Sequence, residues 1–344
     1  MNLKDSGYTK FSLVNEMMEA PSLIRSFDPK ISRPVAYSVI HKHRLLFTGE
    51  GSSRIFPAKN AIYQANRRGL AFNMVTDGGR QSMEYSLKDH VIVAASNSGK
   101  TKEVVSLLRK LNAEGCDNIY GITAHDKTPI MELSKKGFLL ECGEENAVAA
   151  TKSIIEQALF MLSIVENLSP TGMKESLPEL ADAFEQVLTM KIDPGIIKIL
   201  SDAPQIYFAG RNNGVAEELT LKTNEITRKK ADFLEGTYAV HGIEEVMNPR
   251  EVLVLIEPFA EEIQKFSDVL VKGVGMKIIA IDHKETPFPT IIIPGLDPYD
   301  EFLQIASGWN LLVETGIAEG INLDKPLRAR KVGNIDEGPT IRAS

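Results

Sequence analysis

Three hydroxyl side chains stand within six residues in the stretch Ser96-Asn97-Ser98-Gly99-Lys100-Thr101. The stretch follows a short apolar run, Val91–Ala95, and precedes a helix-like segment, which puts it at the carboxyl end of a strand, where parallel sheets bind ligands. Amides that open a helix carry partial positive charge and suit a phosphate, and small hydroxyls add donors without crowding it. Ser96 or Ser98 would also serve as a plain helix cap. Three hydroxyls and a glycine at this place favour an anion. A second turn of small residues, Gly49-Glu50-Gly51-Ser52-Ser53, puts Ser52 and Ser53 at the start of another helix, beside the same cleft. Far along the chain, Glu218, Lys222 and Glu225 fall at i, i+4 and i+7 on one helix face. Taken alone, that trio reads as a surface salt-bridge ladder.

Two nucleotide motifs are only half present. Gly99-Lys100-Thr101 ends as a P-loop does, but Ala94 occupies the required earlier glycine and lies inside the strand. Gly49-Glu50-Gly51 opens as a dinucleotide fingerprint does, but Arg54 replaces its last glycine. Cys116 and Cys142 lie too far apart for metal-ligand spacing and read as reduced thiols of a cytoplasmic protein. No cofactor and no metal are expected.

The elements that must position these residues are legible as periodicity. Arg44–Thr48, 70–75, Val91–Ala95, 119–124 and 138–140 read as strands without the alternation of a half-exposed sheet. Helical patterns occupy 55–68, 101–113, 130–136 and 151–165. Strand and helix alternating at this spacing predict a parallel sheet covered on both faces. Ser169-Pro170-Thr171-Gly172 reads as a turn and a domain boundary. A helical stretch follows over 177–190, and then the pattern restarts. Gly210 ends one apolar run as Gly49 ends another, 161 residues earlier, and Val252 follows Val91 by the same interval. Lys277–Asp282 then resembles 118–124. A shared interval points to a duplicated α/β domain. The copies differ where chemistry is expected: Ser96-Asn97-Ser98-Gly99 becomes Glu257-Pro258-Phe259-Ala260, without hydroxyls, so an anion site in the first copy has no counterpart in the second.

The chain's 344 residues suit two domains, and 43% hydrophobic with 25% charged residues is the balance of a folded protein. A net charge of −7 gives nothing to attract nucleic acid. Residues 1–10 lack the apolar stretch of a signal peptide, and no apolar run reaches the length of a membrane span. A protein without membrane or nucleic-acid partners, in the cytoplasm, is expected.

Gly49 to Ser53, Ser96 to Thr101 and the segment Ala147-Val148-Ala149-Ala150-Thr151-Lys152 resemble the sugar-phosphate loops of the sugar isomerase (SIS) family. The likeness runs from about residue 45 to 318 and is similar to the isomerase half of glucosamine-6-phosphate synthase and to the fructosamine-6-phosphate deglycases and amino-sugar phosphate deaminases. It implies two tandem SIS domains, each a flavodoxin-like parallel sheet between helices. Its boundaries would be a helical arm at 1–35, domains at 36–168 and 169–322, and a tail at 323–344. The resemblance assigns sugar and phosphate contacts to Ser52, Ser53, Ser96, Asn97, Ser98, Thr101, Val148, Ala150 and Glu218. It makes Glu225 the catalytic base, with Lys222 beside it, and His241 the ring-opening acid. In relatives that histidine reaches the partner subunit's site, which implies a homodimer with a shared active site.

Moving a carbonyl between C1 and C2 of an open-chain sugar needs a base near a carbon-bound proton, a role that suits a glutamate. Opening the ring needs a donor active near neutrality, which suits a histidine. The other histidines, His41, His43, His90, His125 and His283, match nothing catalytic. Several positions depart from the synthase. From the Met1-Asn2 start no glutaminase domain is expected, Ala150 stands for a serine, and Ile243 stands for a proline. Glu244 and Glu245 then hold a substrate ammonium or start a helix. The tail carries Lys325 and Lys331, either of which could stand for the synthase's active-site lysine. The function expected is isomerisation with deamination, or deglycation, of an amino- or amine-linked hexose 6-phosphate. The alternatives are a plain aldose–ketose phosphosugar isomerase and a non-catalytic sugar-phosphate sensor.

Overall fold

The computed structural model describes residues 1–328 and 335–336. Among these residues, ten strands form two five-stranded sheets, parallel throughout. The first sheet holds β1 (Arg44–Thr48), β2 (Asn73–Asp77), β3 (Val91–Ala95), β4 (Ile119–Thr123) and β5 (Lys136–Leu139). The second holds β6 (Gln205–Gly210), β7 (Lys230–Glu235), β8 (Val252–Ile256), β9 (Lys277–Asp282) and β10 (Thr290–Ile292). The longer helices are α1 (Ser12–Ser26), α2 (Arg33–Lys42), α3 (Ile55–Arg67), α4 (Lys102–Ala113), α5 (Lys152–Leu168), α6 (Met173–Thr189), α7 (Pro194–Asp202), α8 (Val215–Ile226) and α9 (Asp300–Ala318).

Strand orders are β2-β1-β3-β4-β5 and β10-β9-β8-β6-β7. Numbered within each half, both are the flavodoxin-like order 2-1-3-4-5. The register carries the repeat to single residues, since Leu45 pairs with Val91 and Ile206 with Val252, each 161 positions on. The central strands β3 (VIVAA) and β8 (VLVLI) are buried at every residue, as strands covered on both faces must be. The edge strand β7 (KADFLE) is exposed or partly buried except at Leu234, and its charges hide it from an apolar-run search.

The chain divides into two compact units. One holds the second sheet with Met1–Phe27, Glu145–Ile155 and Lys174–Arg328. The other holds the first sheet with Asp28–Glu144, Glu156–Met173 and the described tail residues Ile335 and Asp336. The N-terminal arm is tied to the first unit's Glu145–Ile155 stretch, where Glu16 accepts from the Asn146 and Ala147 amides and Lys152 reaches Glu19 at 2.6 Å.

Element ends shift where local hydrogen bonds decide them. The 70–75 strand starts later, at Asn73, whose amide bonds the His43 carbonyl. The 130–136 helix stops at Leu133 because Lys135 already donates to Ile119 and Lys136 pairs in β5. In the turn before α6, the Glu166 carboxylate accepts from the amides of Thr171, Gly172 and Met173 at 2.8–3.0 Å. Cys116 and Cys142 are buried and share no disulfide. Among the described residues no helix is long and apolar enough to cross a membrane.

Candidate functional site

In the first-sheet unit, the loop from Ser96 to Thr101 leaves β3 at the switch point between β1 and β3. Ser96 Oγ lies 2.7 Å from Thr101 Oγ1 and 3.4 Å from Ser98 Oγ, so the three hydroxyls converge. Ser98 Oγ also accepts from the Lys100 amide at 3.3 Å, and Ser96 Oγ from the Gly99 amide at 3.1 Å. Gly99 has φ +66, and a Cβ there would stand 2.4 Å from the Thr128 hydroxyl, so only glycine fits. The carbonyl of Asn97 is held by the Ala124 amide and the Thr123 hydroxyl. Thr101 is the N-cap of α4 but its side chain makes no capping bond. The plain-cap reading is therefore weakened. The loop presents clustered hydroxyls beside a helix start with no N-cap side-chain bond, the arrangement that accepts an anion.

The second turn lies against it. A Cβ on Gly49 would come within 3.0 Å of the Ala95 carbonyl, which places the ends of β1 and β3 in contact. Ser52 is buried and Ser53 partly buried in the short helix Gly51–Ser53. Glu50, which sequence reasoning passed over, accepts from the Gly79 amide at 2.8 Å. Partial desolvation raises its carboxyl above the ordinary range, and the Gly79 bond opposes that only in part.

In the other unit, α8 carries the acid–base trio. Asn213 Oδ1 accepts from the Val215 amide at the helix start, and Gly214 turns the chain with φ +89. A Cβ on Gly308 of α9 would stand 2.3 Å from the Leu219 side chain, so the glycine lets α9 press against α8. Glu218 and Lys222 are wholly buried, and Glu225 keeps 24% of its side chain exposed. Lys222 Nζ stands 2.6 Å from Glu225 Oε2 and 3.4 Å from Glu218 Oε1. Burial alone would favour the neutral amine, but Glu225 and then Glu218 outweigh it, and the net shift of Lys222 is upward. The trio is thus a buried charge cluster and not a surface ladder. Its one solvent-facing member is the carboxylate of Glu225.

His241 ends the short helix Tyr238–Val240 and is exposed, with Nε2 3.2 Å from Lys265 Nζ. Among the described residues no hydrogen bond or ion pair joins it to Glu218, Lys222 or Glu225. Lys265 had no sequence signal, because 24 residues separate the pair. Val148 and Ala150 are partly buried, and the Val148 amide donates to the Asp324 carbonyl at 3.4 Å. Glu244 and Glu245 fall in the short helix Ile243–Val246, and Glu244 accepts from the Gly242 amide at 2.6 Å, the helix-start alternative. Lys331 lies outside the described residues.

The second switch point, between β6 and β8, is filled by the protein itself. Glu257 occupies the place of Ser96 in the repeat and has φ +46. Its carboxylate pairs with Arg211 at 3.2 Å and accepts from Gln304 at 2.8 Å, while the Arg211 guanidinium stacks 4.5 Å over Phe259. Side-chain charges take the space that hydroxyls leave open in the first copy.

Residues 38–166 match the SIS domain family. That stretch of the chain is a SIS domain. An isomerizing glutamine–fructose-6-phosphate aminotransferase of Sulfolobus acidocaldarius is 24% identical over an alignment covering 96% of this chain and 57% of the relative. The chain spans about half the length of the curated relatives it matches. Among solved structures, the chain superposes on a tagatose-6-phosphate ketose/aldose isomerase from Escherichia coli with a TM-score of 0.76, at 18% identity, over 94% of this chain and 98% of that one. A glucosamine-6-phosphate deaminase from Thermotoga maritima gives 0.71 at 19% identity, over 95% and 99%. These likenesses establish the fold of both halves.

Proposed function

We propose that this SIS-domain protein is an enzyme that isomerises and deaminates, or deglycates, an amino- or amine-linked hexose 6-phosphate. The names of its relatives share a hexose 6-phosphate and the gain, loss or rearrangement of groups at adjacent carbons. The observation that carries the reading is the Lys222–Glu225 pair. A buried ammonium orients Glu225 through Oε2, and Oε1 makes no hydrogen bond among the described residues. A sensor would need to hold a phosphate but has no use for such a base.

In this reading the hydroxyls of Ser96, Ser98 and Thr101, with the α4 amides, take the phosphate. Ser52, Ser53, Asn97, Val148, Ala150 and Glu218 shape the sugar site. His241, supplied across a homodimer, protonates the ring oxygen as the ring opens. Glu225 then removes the proton from the carbon beside the carbonyl or iminium. The C–H electron pair becomes the double bond of an enediol or enolamine, and the displaced π pair takes a proton on a carbonyl oxygen or neutralises the charge on an iminium nitrogen. Returning the proton to the neighbouring carbon completes the shift, and water releases the amine where one is bound. A plain ketose–aldose isomerisation uses the same steps without the last and is the second reading, favoured by the Escherichia coli likeness.

The test is a screen of purified protein against fructosamine, glucosamine and hexose 6-phosphates, with free amine and sugar phosphate both measured. Glu225→Gln should then lose kcat by about a hundred- to ten-thousand-fold while affinity changes little. Tight binding by the wild type without turnover of any of these compounds would leave the sensor.

A further inference from the structure

The chain's tail returns to the hydroxyl-rich loop. Ile335 pairs in antiparallel fashion with Thr101, and the Asp336 amide donates to the Lys100 carbonyl at 2.9 Å. Arg109, two turns along α4, grips the Asp336 carboxylate with both terminal nitrogens, at 2.9 and 2.6 Å. A two-point guanidinium–carboxylate fork fixes orientation as well as distance. Asp336 keeps 11% of its side chain exposed and Arg109 45%. A pair that open contributes little by itself. Its position is what matters, because it closes a ring from α4, through Asp336 and Ile335, back to the N-cap residue of the same helix.

Lys100 and Thr101 form the joint between the hydroxyl cluster and α4. Thr101 holds Ser96 Oγ at 2.7 Å, and the Lys100 amide holds Ser98 Oγ. Pinning this joint from outside restricts where all three hydroxyls point. The pin also brings a carboxylate close to a loop read as a phosphate site, and that charge would repel a phosphate unless compensated. Arg109 supplies the compensation.

We infer that Arg109 and Asp336 are positioning residues that strap the tail onto Lys100 and Thr101 and so hold the loop in its phosphate-accepting form. The inference rests on the phosphate reading of that loop. Neither residue belongs to the hydroxyl cluster itself, so the strap acts on affinity for the phosphate and leaves the chemical step alone.

Simple charge arithmetic gives the opposite sign for one variant, which makes the test decisive. Asp336→Ala removes a negative charge near the loop and by Coulomb's law alone would tighten phosphate binding. The strap requires it to weaken. The full-length chain, Arg109→Ala, Asp336→Ala and the double variant are titrated with fructose 6-phosphate and with fructose. Each single variant should bind fructose 6-phosphate about five-fold more weakly, and the double should lose no more than the worse single, because both break one device. Arg109→Lys should recover part of the loss. On whichever substrate is turned over, KM should rise while kcat stays within about two-fold. Unchanged or tighter binding by Asp336→Ala overturns the strap and leaves the phosphate site standing. If the wild type does not bind fructose 6-phosphate, the phosphate reading fails first and the strap falls with it.

Discussion

Lys222→Met deletes the one cation in the buried cluster on α8 while keeping a side chain of similar length and volume. The ammonium removed lies 3.4 Å from Glu218, which is wholly buried, and 2.6 Å from Glu225, which is 24% exposed. Water relieves part of the loss at Glu225. At Glu218 it cannot, so most of the cost falls there. Breaking a buried pair by removing one partner costs about 3–5 kcal/mol, against at most about 1 kcal/mol for an exposed ladder. The pH dependence has a definite sign. Lys222 titrates above its usual value when folded, so its contribution is complete at neutral pH and is lost only as pH climbs through that raised value. In the variant, acid should narrow the deficit, because a Glu218 deprived of the ammonium takes a proton more readily. The assay is urea unfolding followed by fluorescence of Trp309, the sole tryptophan, buried in α9. Adding Glu218→Gln to Lys222→Met should recover part of the loss. A cost below about 1 kcal/mol for Lys222→Met, or no recovery, would refute the claim that charge compensation in a dry site holds α8 in place.

Ser98→Glu should raise KM steeply for a phosphorylated substrate, since it sets a second anion among the hydroxyls; normal binding would move the phosphate site elsewhere. Mixing inactive Glu225→Gln and His241→Ala chains should restore activity in mixed dimers, and no recovery after proven subunit exchange would place both residues in one protomer's site. Glu166 is stabilised as a carboxylate: burial opposes its ionisation, but the amides of Met173, Thr171 and Gly172 outweigh burial and hold its carboxyl below the usual range. Its folded value is depressed, so its contribution is complete above the unfolded carboxyl's pKa of about 4.3 and is lost as pH falls below it. Glu166→Gln should therefore destabilise at neutral pH by about 1–3 kcal/mol, and its deficit in urea midpoint should close on acidification. A deficit independent of pH would assign the loss to packing.

The amino-acid sequence by itself determined the alternation of strand and helix, the central strands and the duplication. Those signals are local: a strand buried on both faces must be a continuous apolar run, and a copied run keeps its interval, down to the pairing of Leu45 with Val91 and Ile206 with Val252. Residue type and placement also pointed to the hydroxyl-rich loop as an anion site, whereas the roles of Glu225, Lys222 and His241 came from the family resemblance and not from spacing. The sequence did not reveal β7, because an edge strand has one side free and tolerates the charges of KADFLE. Nor did it distinguish a solvated ladder from a buried cluster at Glu218, Lys222 and Glu225, since helical spacing says which residues share a face and not what covers that face. Gly308 of α9, 86 residues from Lys222, lets the neighbouring helix come close enough to Leu219 to bury it. The filling of the second switch point by Arg211, Glu257 and Gln304 and the return of Ile335 and Asp336 to Thr101 and Arg109 are of the same kind. Each is a contact between charges or backbone groups remote in sequence, with no periodicity to announce it, and only the closed tertiary structure brings such partners within hydrogen-bonding reach.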